Sequence, residues 1–522
     1  MDRKELACVA LLAAVSITLI FSIAPADVPL NDDIMYYESV YDYIETGDLN
    51  SDQPYTVSLI LQVLYGSVFA AVFGLSHSTL MLSMMVAGVA VVVASYFMLR
   101  TRLDRKYSVL GACVLLANPI FYNLTHTFMT DVLALFFVVS STTFVIRFLD
   151  AGRTRDLAVA SLLAVAGFWV RQYVITILGA LLLYLLLTKR KELLRPDVLG
   201  LVVLLPAVSV LGWAYWFYAV RDLSYVCPYP LTLGTHIIKN IAQLFIYAGY
   251  FLMPIGLAFV AARKRIAPLF GKMAGSKKLA LLVVALLMLS FIVVRGYAGP
   301  DANPFDKSLA EPRGVGAYTI SGDKAPLFPE VLWIPITALS LFTALVAFAV
   351  LLKGPRDSAF LTLLIIALAA QSLLFTAFYD RYYLFLIPLA LLFLLPAVAK
   401  FKLDKRVLVA GLILTAAWGW YGTYDYLAWN EARWDAIDYL LDSGVAPEQI
   451  DGGLEYDARF LERCTERSSA VRWHGWGYSI SDAYVISFSV LDGYAGVREF
   501  DYYGPLGNKL GTIYALRKEG IP

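Results

Sequence analysis

The feature that most limits how this chain can fold is a series of apolar runs, each about 17–25 residues long, recurring from Leu6 to Tyr424. A run of that length spans the hydrocarbon layer as a helix. In lipid the backbone polar groups have no water to bond, so each segment must satisfy its own. The chain is 59% hydrophobic and 16% charged, as expected where much of the surface faces lipid. Its net charge of +1 supplies no bulk positive field, so nucleic acid is not an expected partner. The four cysteines, Cys8, Cys113, Cys227 and Cys464, form no CxxC or metal-ligand spacing. Cys227 and Cys464 fall on the same side of the expected topology, which leaves a disulfide between them open.

Orientation follows from the basic residues that flank the runs. They cluster at Arg3–Lys4, Arg100–Lys106, Arg147–Arg155, Lys189–Arg195, Arg263–Lys278, Lys353–Arg356 and Lys400–Arg406. If all face the cytoplasm, each interval between clusters crosses the membrane an even number of times. The run Leu157–Leu187 then divides into two short spans hinged near Arg171. From Asp156 to Arg171 is about 22 Å of helix, which puts Arg171 near the outer interface. The same rule makes Tyr55–Gly74 a helix that lies along the outer face without spanning. The N-terminal run resembles a signal peptide in its charged start, but Ile23–Asp27 is a poor cleavage site, so it is read as a retained helix. The expectation is an all-α polytopic membrane protein of about 13 transmembrane helices. Residues 1–428 form the membrane module, with juxtamembrane helices over about 32–74. Residues 429–522 form a small α/β extracytoplasmic domain, in which Asn430–Asp442 reads as an amphipathic helix and Ala483–Ser489 alternates as a strand.

The chemistry-bearing residues gather on the outer side of this scheme. The first outer loop carries Asp32-Asp33, followed by an amphipathic helix with apolar Ile34, Tyr37, Val40, Tyr41 and Ile44 and a stop at Gly47. Asn31 or Asp32 at the N-cap with Asp33 in the first turn is ordinary helix chemistry. One acid suffices for a cap, though, and a second adds repulsion. Asp131 falls one to two turns into the fourth span, where an acid is costly unless it faces a polar cavity. A displaced helix-terminal acid is the bland alternative. Arg171 tips the short hairpin, either as a functional cation or as a side chain snorkelling to the interface. Arg381 lies in Tyr379-Asp-Arg-Tyr-Tyr383, where Asp380 and Arg381 have the makings of a structural ion pair. Tyr36, Tyr37, His126 and Tyr382 stand beside these charges and are candidates for substrate contact. His77, His126 and His236 show no ligand spacing, so metal dependence stays unknown and a divalent ion is left open.

Outer acids together with outer arginines suit glycosyl transfer from a lipid phosphate. A carboxylate takes the proton of the acceptor hydroxyl, and cationic groups stabilise the departing phosphate. Arg meets phosphate oxygens with a planar fork. No P-loop or dinucleotide fingerprint follows a strand, so a donor carried across on lipid is expected rather than a nucleotide sugar. In order and sidedness these features resemble the GT-C glycosyltransferases, in the protein O-mannosyltransferase and aminoarabinose-transferase branch. The carrying motifs are Asp32-Asp33-Ile-Met-Tyr36, the Pro-containing stretch from Gln53 to Ser76, "FMTDVLALFF" around Asp131, "GFWVRQY" around Arg171 and "YDRYYLFLIP" around Arg381. The resemblance covers about residues 1–425. It implies Asp32 as base, Asp33 and Asp131 as further catalytic acids, and Arg171 and Arg381 as holders of the donor phosphate. It also implies a polyprenyl-phosphate sugar as donor, a lipid, glycan or protein as acceptor, surrounding membrane lipids, and a plasma-membrane location with the N-terminus cytoplasmic. No basic pair follows the acids directly, and "WHGWGYS" at Trp473–Ser479 lacks the Asp of the oligosaccharyltransferase signature. Transfer of a single sugar is therefore expected over transfer of a whole glycan. The competing expectation is a transporter or flippase of lipid-linked sugars or organic anions, which would place its charges at the bilayer midplane.

Overall fold

The computed structural model describes residues 2–49, 57–221, 236–271, 273–297, 312–353, 359–373, 379–457, 472–474, 477–479 and 481–520. Cys227 and Cys464, and with them the disulfide left open above, lie outside these residues.

Among the described residues, the chain up to Thr188 forms nine α-helices: α1 (Arg3–Ile20), α2 (Asp33–Thr46), α3 (Ile60–Phe73), α4 (His77–Arg100), α5 (Arg105–Leu116), α6 (Pro119–Leu124), α7 (Thr130–Ala151), α8 (Thr154–Phe168) and α9 (Thr176–Thr188). Among the described residues six helices are long and apolar enough to cross a membrane, or seven if a bent pair counts as one. Shorter apolar helices, including α3, α9 and Leu386–Lys400, stand beside them. Large apolar side chains such as Leu11, Leu187, Leu211, Leu286, Ile334 and Ile413 are exposed on the helix surfaces. In water so much exposed hydrocarbon would drive aggregation, whereas lipid accepts it. The chain is a multi-pass membrane protein.

Several elements fall where the pattern predicts them. α2 ends at Thr46, and Gly47 takes the left-handed conformation (φ +74°) that closes a helix C-terminus. α3, with 14 residues, is about 21 Å long, too short to span. α8 and α9 are separated by a turn with Arg171 at its start. α4 and α7 run the same way, with Arg102 just after α4 paired to Asp150 of α7 at 2.6 Å, and α5 and α8 run back, so the basic residues collect at one end of the bundle. There Glu5 of α1 pairs with Arg100 of α4 at 2.9 Å and Arg105 of α5 at 3.1 Å. Asp33, Asp131 and Arg171 lie at the opposite helix ends.

One expectation is corrected. Asp131 is the second residue of α7, in its first turn rather than one to two turns inside a span. The boundary expected at 428/429 falls inside one continuous helix, Lys405–Asp442. At 38 residues it is about 57 Å long, so span and amphipathic extension are a single element. Beyond it a four-stranded sheet forms in the order β1 (Ile450–Asp451), β4 (Tyr484–Ser487), β6 (Lys509–Lys518), β5 (Tyr494–Tyr503). β1 runs parallel to β4, and the other pairs are antiparallel. β2 (Arg472–His474) and β3 (Gly477–Ser479) make a separate antiparallel pair. The segment Pro312–Pro329 docks on this region. Leu454 and Phe488 donate backbone bonds to the carbonyls of Thr319 and Ser321, and Lys324 makes a buried 2.8 Å ion pair with Asp425 of the long helix.

Candidate active site

The two adjacent acids meet different fates. Asp32 occupies the N-cap position of α2, yet its backbone is helical and its side chain makes no capping bond. Its Oδ2 instead accepts a hydrogen bond from Arg381 Nη2 at 3.1 Å, and the carboxylate remains 40% exposed. Asp33 is buried at 4% exposure. Its Oδ1 accepts the Leu30 N–H at 2.6 Å and its Oδ2 accepts the Phe128 N–H at 3.3 Å. Burial holds the Asp33 carboxyl well above the usual carboxylate range. The two backbone N–H groups oppose that shift, while Glu455 and Asp32 reinforce it. Asp33 therefore fastens the loop before α2 to the segment leading into α7, and Asp32 is left to face the site.

A second pair stands close by. Asp131 Oδ1 accepts from Arg171 Nη1 at 2.5 Å, with side-chain exposures of 3% and 12%. Asp131 Oδ2 is buried and takes no hydrogen bond from the described residues. The presentation of Arg171 has a local cause. The last carbonyls of α8 lack helical partners, and the residues entering α3 supply them. Ser58 Oγ donates to Phe168 O at 2.5 Å, Leu61 N to Trp169 O at 3.0 Å and Leu59 N to Val170 O at 3.3 Å. Once those carbonyls are held, the chain leaves α8 extended at Arg171 (φ −153°).

Arg381 comes from a short 3-10 turn, Asp380–Tyr383. Asp380 Oδ1 takes the backbone N–H of Arg381 at 2.7 Å, and the guanidinium reaches Asp32. Arg381 Nε is buried with no hydrogen-bond partner among the described residues. Tyr382 lies between the two cations, its ring 5.3 Å from the Arg171 guanidinium and 5.7 Å from that of Arg381, in cation–π range of both. Tyr36 is buried beneath this group. Burial raises its phenol far above the ordinary value, and the charges of Asp32, Arg171, Arg381 and Asp131 all act on it. The structure thus gathers Asp32, Asp131, Arg171, Arg381, Tyr36 and Tyr382 around one point.

The remaining sequence candidates are engaged differently. Tyr37 stacks on His77 at 4.1 Å between ring centroids, joining α2 to α4. His126 is fully buried, with Nδ1 3.0 Å from Tyr122 O and Nε2 3.0 Å from Ile20 O. Burial lowers its pKa to about 4, and its ring nitrogens meet two backbone carbonyls and the Thr125 hydroxyl at 3.1 Å rather than any site charge. Sequence reasoning missed Arg433, Trp434 and Glu455, which reach the loop before Asp32 from the far end of the chain. Glu455 Oε1 accepts the Asn31 N–H at 2.9 Å across 424 positions, and no local pattern announces such a contact. A small cleft between α6 and the long helix, with Pro119, Asn123, Trp418 and Thr423 among its walls, is lined by none of the site charges.

Chemically, the site offers one accessible carboxylate, a second carboxylate with a buried oxygen to spare, and two guanidinium groups. Among the described residues no three His, Cys, Asp or Glu side chains lie together as metal ligands would.

Residues 52–216 match the family model described as dolichyl-phosphate-mannose-protein mannosyltransferase. This stretch contains Asp131 and Arg171. The chain is also similar to three solved structures. ArnT from Cupriavidus metallidurans in the apo state aligns at 14% identity over 97% of each chain, with a TM-score of 0.45. The archaeal oligosaccharyltransferase AglB from Archaeoglobus fulgidus aligns at 16% identity over 86% of this chain and 58% of its own, with a TM-score of 0.44. The S. cerevisiae protein O-mannosyltransferase Pmt1–Pmt2 complex aligns at 13% identity over 42% of this chain and 34% of its own, with a TM-score of 0.36. The chain thus spans about a third of the yeast chain and under two thirds of the archaeal one. Comparison with curated proteins gives no significant match. The chain resembles the GT-C glycosyltransferases of the protein O-mannosyltransferase and ArnT kind.

Proposed function

We propose that this protein is an inverting glycosyltransferase with thirteen membrane-spanning helices, moving a single sugar from a polyprenyl-phosphate donor to an acceptor on the outer face of the plasma membrane. The acceptor is a lipid, a glycan or a protein. The observation that carries the reading is the convergence of two Asp–Arg pairs, Asp32–Arg381 and Asp131–Arg171, opposite the basic end of the bundle. Arg381 Nε and Asp131 Oδ2 remain unpartnered in that group.

In this reading Asp32, the exposed acid, takes the proton of the acceptor hydroxyl. The acceptor oxygen attacks the anomeric carbon from the side opposite the phosphate. The bond from anomeric carbon to phosphate oxygen breaks, and the phosphate leaves with the electron pair. Arg171 and Arg381 offset the charge that collects on it, with Tyr382 holding the two guanidinium planes apart. Asp131 orients Arg171 through Oδ1 and offers Oδ2 to a donor group on the substrate. A divalent cation has only Asp32 and Asp131 available here, and each is already matched by an arginine. No step above depends on one.

The bent helix pair His236–Phe251 and Met253–Ala261, turned by 75°, favours the transporter reading, because transporters build their sites from broken helices. The break itself carries Leu252 and Pro254 and no ionisable side chain, and proline accounts for the bend. The test is release of free polyprenyl phosphate from a panel of polyprenyl-phosphate sugars by purified protein with membrane lipid extract, with and without EDTA. Sugar-dependent release that survives EDTA supports the reading as written, and release abolished by EDTA adds a metal to it. No release, with labelled lipid-linked sugar crossing proteoliposomes, moves the assignment to transport.

A further inference from the structure

The loop that delivers Asp32 is held by the other end of the chain. Three consecutive residues before it are each hydrogen-bonded. Trp434 Nε1 donates to Pro29 O at 3.3 Å, Leu30 N donates to Asp33 Oδ1 at 2.6 Å, and Asn31 N donates to Glu455 Oε1 at 2.9 Å. Asn31 sits at φ +54°, in the left-handed region that non-glycine residues enter at a cost, asparagine among the least. This backbone inversion aims the next residue, Asp32, at Arg381. Glu455 is itself fixed. Its Oε2 accepts from Arg433 Nη1 at 2.6 Å, and both side chains are fully buried. Arg433 Nε in turn donates to Gly452 O at 2.8 Å, so the guanidinium is braced against the turn that carries Glu455.

A buried ion pair of this kind is weak evidence for stability, because desolvating two charges offsets most of their attraction. A role beyond stability is therefore worth seeking, and one oxygen of the pair is spent on the residue next to the proposed base. We infer that Glu455, locked by Arg433, is a positioning residue: it holds Asn31 in its left-handed conformation and so sets the direction of the Asp32 carboxylate. The inference rests on the reading of Asp32 as base. It gives the C-terminal segment a part in the reaction although none of its described residues joins the Asp32, Asp131, Arg171 and Arg381 group.

The test uses the full-length protein in detergent or nanodiscs. Glu455→Asp keeps the charge that Arg433 needs but is a methylene too short to serve Arg433 and Asn31 together. The double variant Arg433→Met with Glu455→Leu removes the strut while leaving an apolar pair, a replacement that buried ion pairs often tolerate. Asn31→Val opposes the left-handed backbone and leaves Glu455 and Arg433 intact. In all three, hydrogen exchange in the peptide spanning residues 29–33 should rise at least tenfold, with β4, β5 and β6 unchanged. kcat for polyprenyl-phosphate release should fall at least tenfold, with KM for the donor within about twofold. Adding Asn31→Gly to Glu455→Asp should recover part of the lost kcat, because glycine adopts positive φ freely. Unchanged exchange overturns the strut. Raised exchange with unchanged kcat, or a kcat loss that Asn31→Gly does not relieve, overturns the positioning role. A wild-type protein that releases no polyprenyl phosphate overturns the function reading instead, and the exchange measurement still judges the strut.

Discussion

Asp32 and Asp33 are the same residue type at adjacent positions, and the fold makes them chemically unlike. Asp32 is a half-exposed partner of Arg381, whereas Asp33 is buried on two backbone N–H groups and held toward its neutral form. Asp32→Asn should therefore lower turnover about 10²–10⁴-fold, the range for losing a general base. Asp33→Asn, which resembles a neutral acid in shape and charge, should retain a measurable fraction. Release of polyprenyl phosphate by the two folded variants checks this, and a dead Asp33→Asn beside an active Asp32→Asn would reverse the roles. The raised carboxyl also has a stability consequence. A group whose folded pKa exceeds its unfolded value, here 3.8, contributes stability fully present below the unfolded value and lost as pH rises through the folded one. Relative to Asp33→Asn, the wild type should melt at progressively lower temperature as pH rises from about 4. His126 carries the opposite sign. Its pKa is lowered by burial from 6.5 to about 4, so its contribution is present above pH 6.5 and lost as pH falls toward 4. Melting curves of His126→Gln should be flatter than wild type across that window.

At the level of elements, the site depends on helix ends held by neighbours that are distant in sequence. α3 receives the last carbonyls of α8 and thereby sets Arg171. Gly167 lies in the same contact. A Cβ there would come within 2.6 Å of both Phe137 Cβ and Val174 Cγ1, whereas a Cβ at Gly179 would meet nothing within 4 Å. Gly167→Ala should push the Arg171 turn off α7 and cut turnover at least tenfold without touching a charged group. Gly179→Ala, at the fourth residue of α9, should leave turnover unchanged and raise the melting temperature slightly through helix propensity. Equal effects of the two would show that the turn is not set by this packing. The same elements show what a sequence can and cannot announce. Basic residues at both ends of Leu157–Leu187 demand a hairpin, so the break at Arg171 was legible. A short helix within Tyr55–Gly74, observed as Ile60–Phe73, and the closing Gly47 of α2 were legible as well. The depth of Asp131 was not, because Met129, at the N-cap of α7, makes no side-chain capping bond that would mark the helix start. Nor was the continuity of the last helix, since a change from apolar to amphipathic at Trp429 alters what the helix faces without interrupting its hydrogen bonds. The Glu455 contact with Asn31 could not be read locally at all, as it depends on how two ends of the chain meet.

For the whole molecule, the decisive question is which side of the membrane the site faces. The helices place Asp33, Asp131 and Arg171 at one end and the cluster around Arg100, Arg105 and Glu5 at the other. On the positive-inside tendency the proposal places the basic end in the cytoplasm, and the proposed site, Ser443 at the tip of the long helix and the sheet beyond it on the outer face. Two exposed positions at opposite ends test this. Ser443 follows the long helix, and Thr188 closes α9 beside Lys189–Arg195. With the four native cysteines replaced, Ser443→Cys should react with a membrane-impermeant maleimide on intact cells, and Thr188→Cys only after permeabilisation. That pattern fits a donor that must be carried across the bilayer before use, because no soluble nucleotide sugar would meet Asp32 there. The reverse pattern would put Asp32, Arg171 and Arg381 within reach of cytoplasmic substrates, and the lipid-borne donor would then lose its physical rationale even if sugar transfer itself were observed.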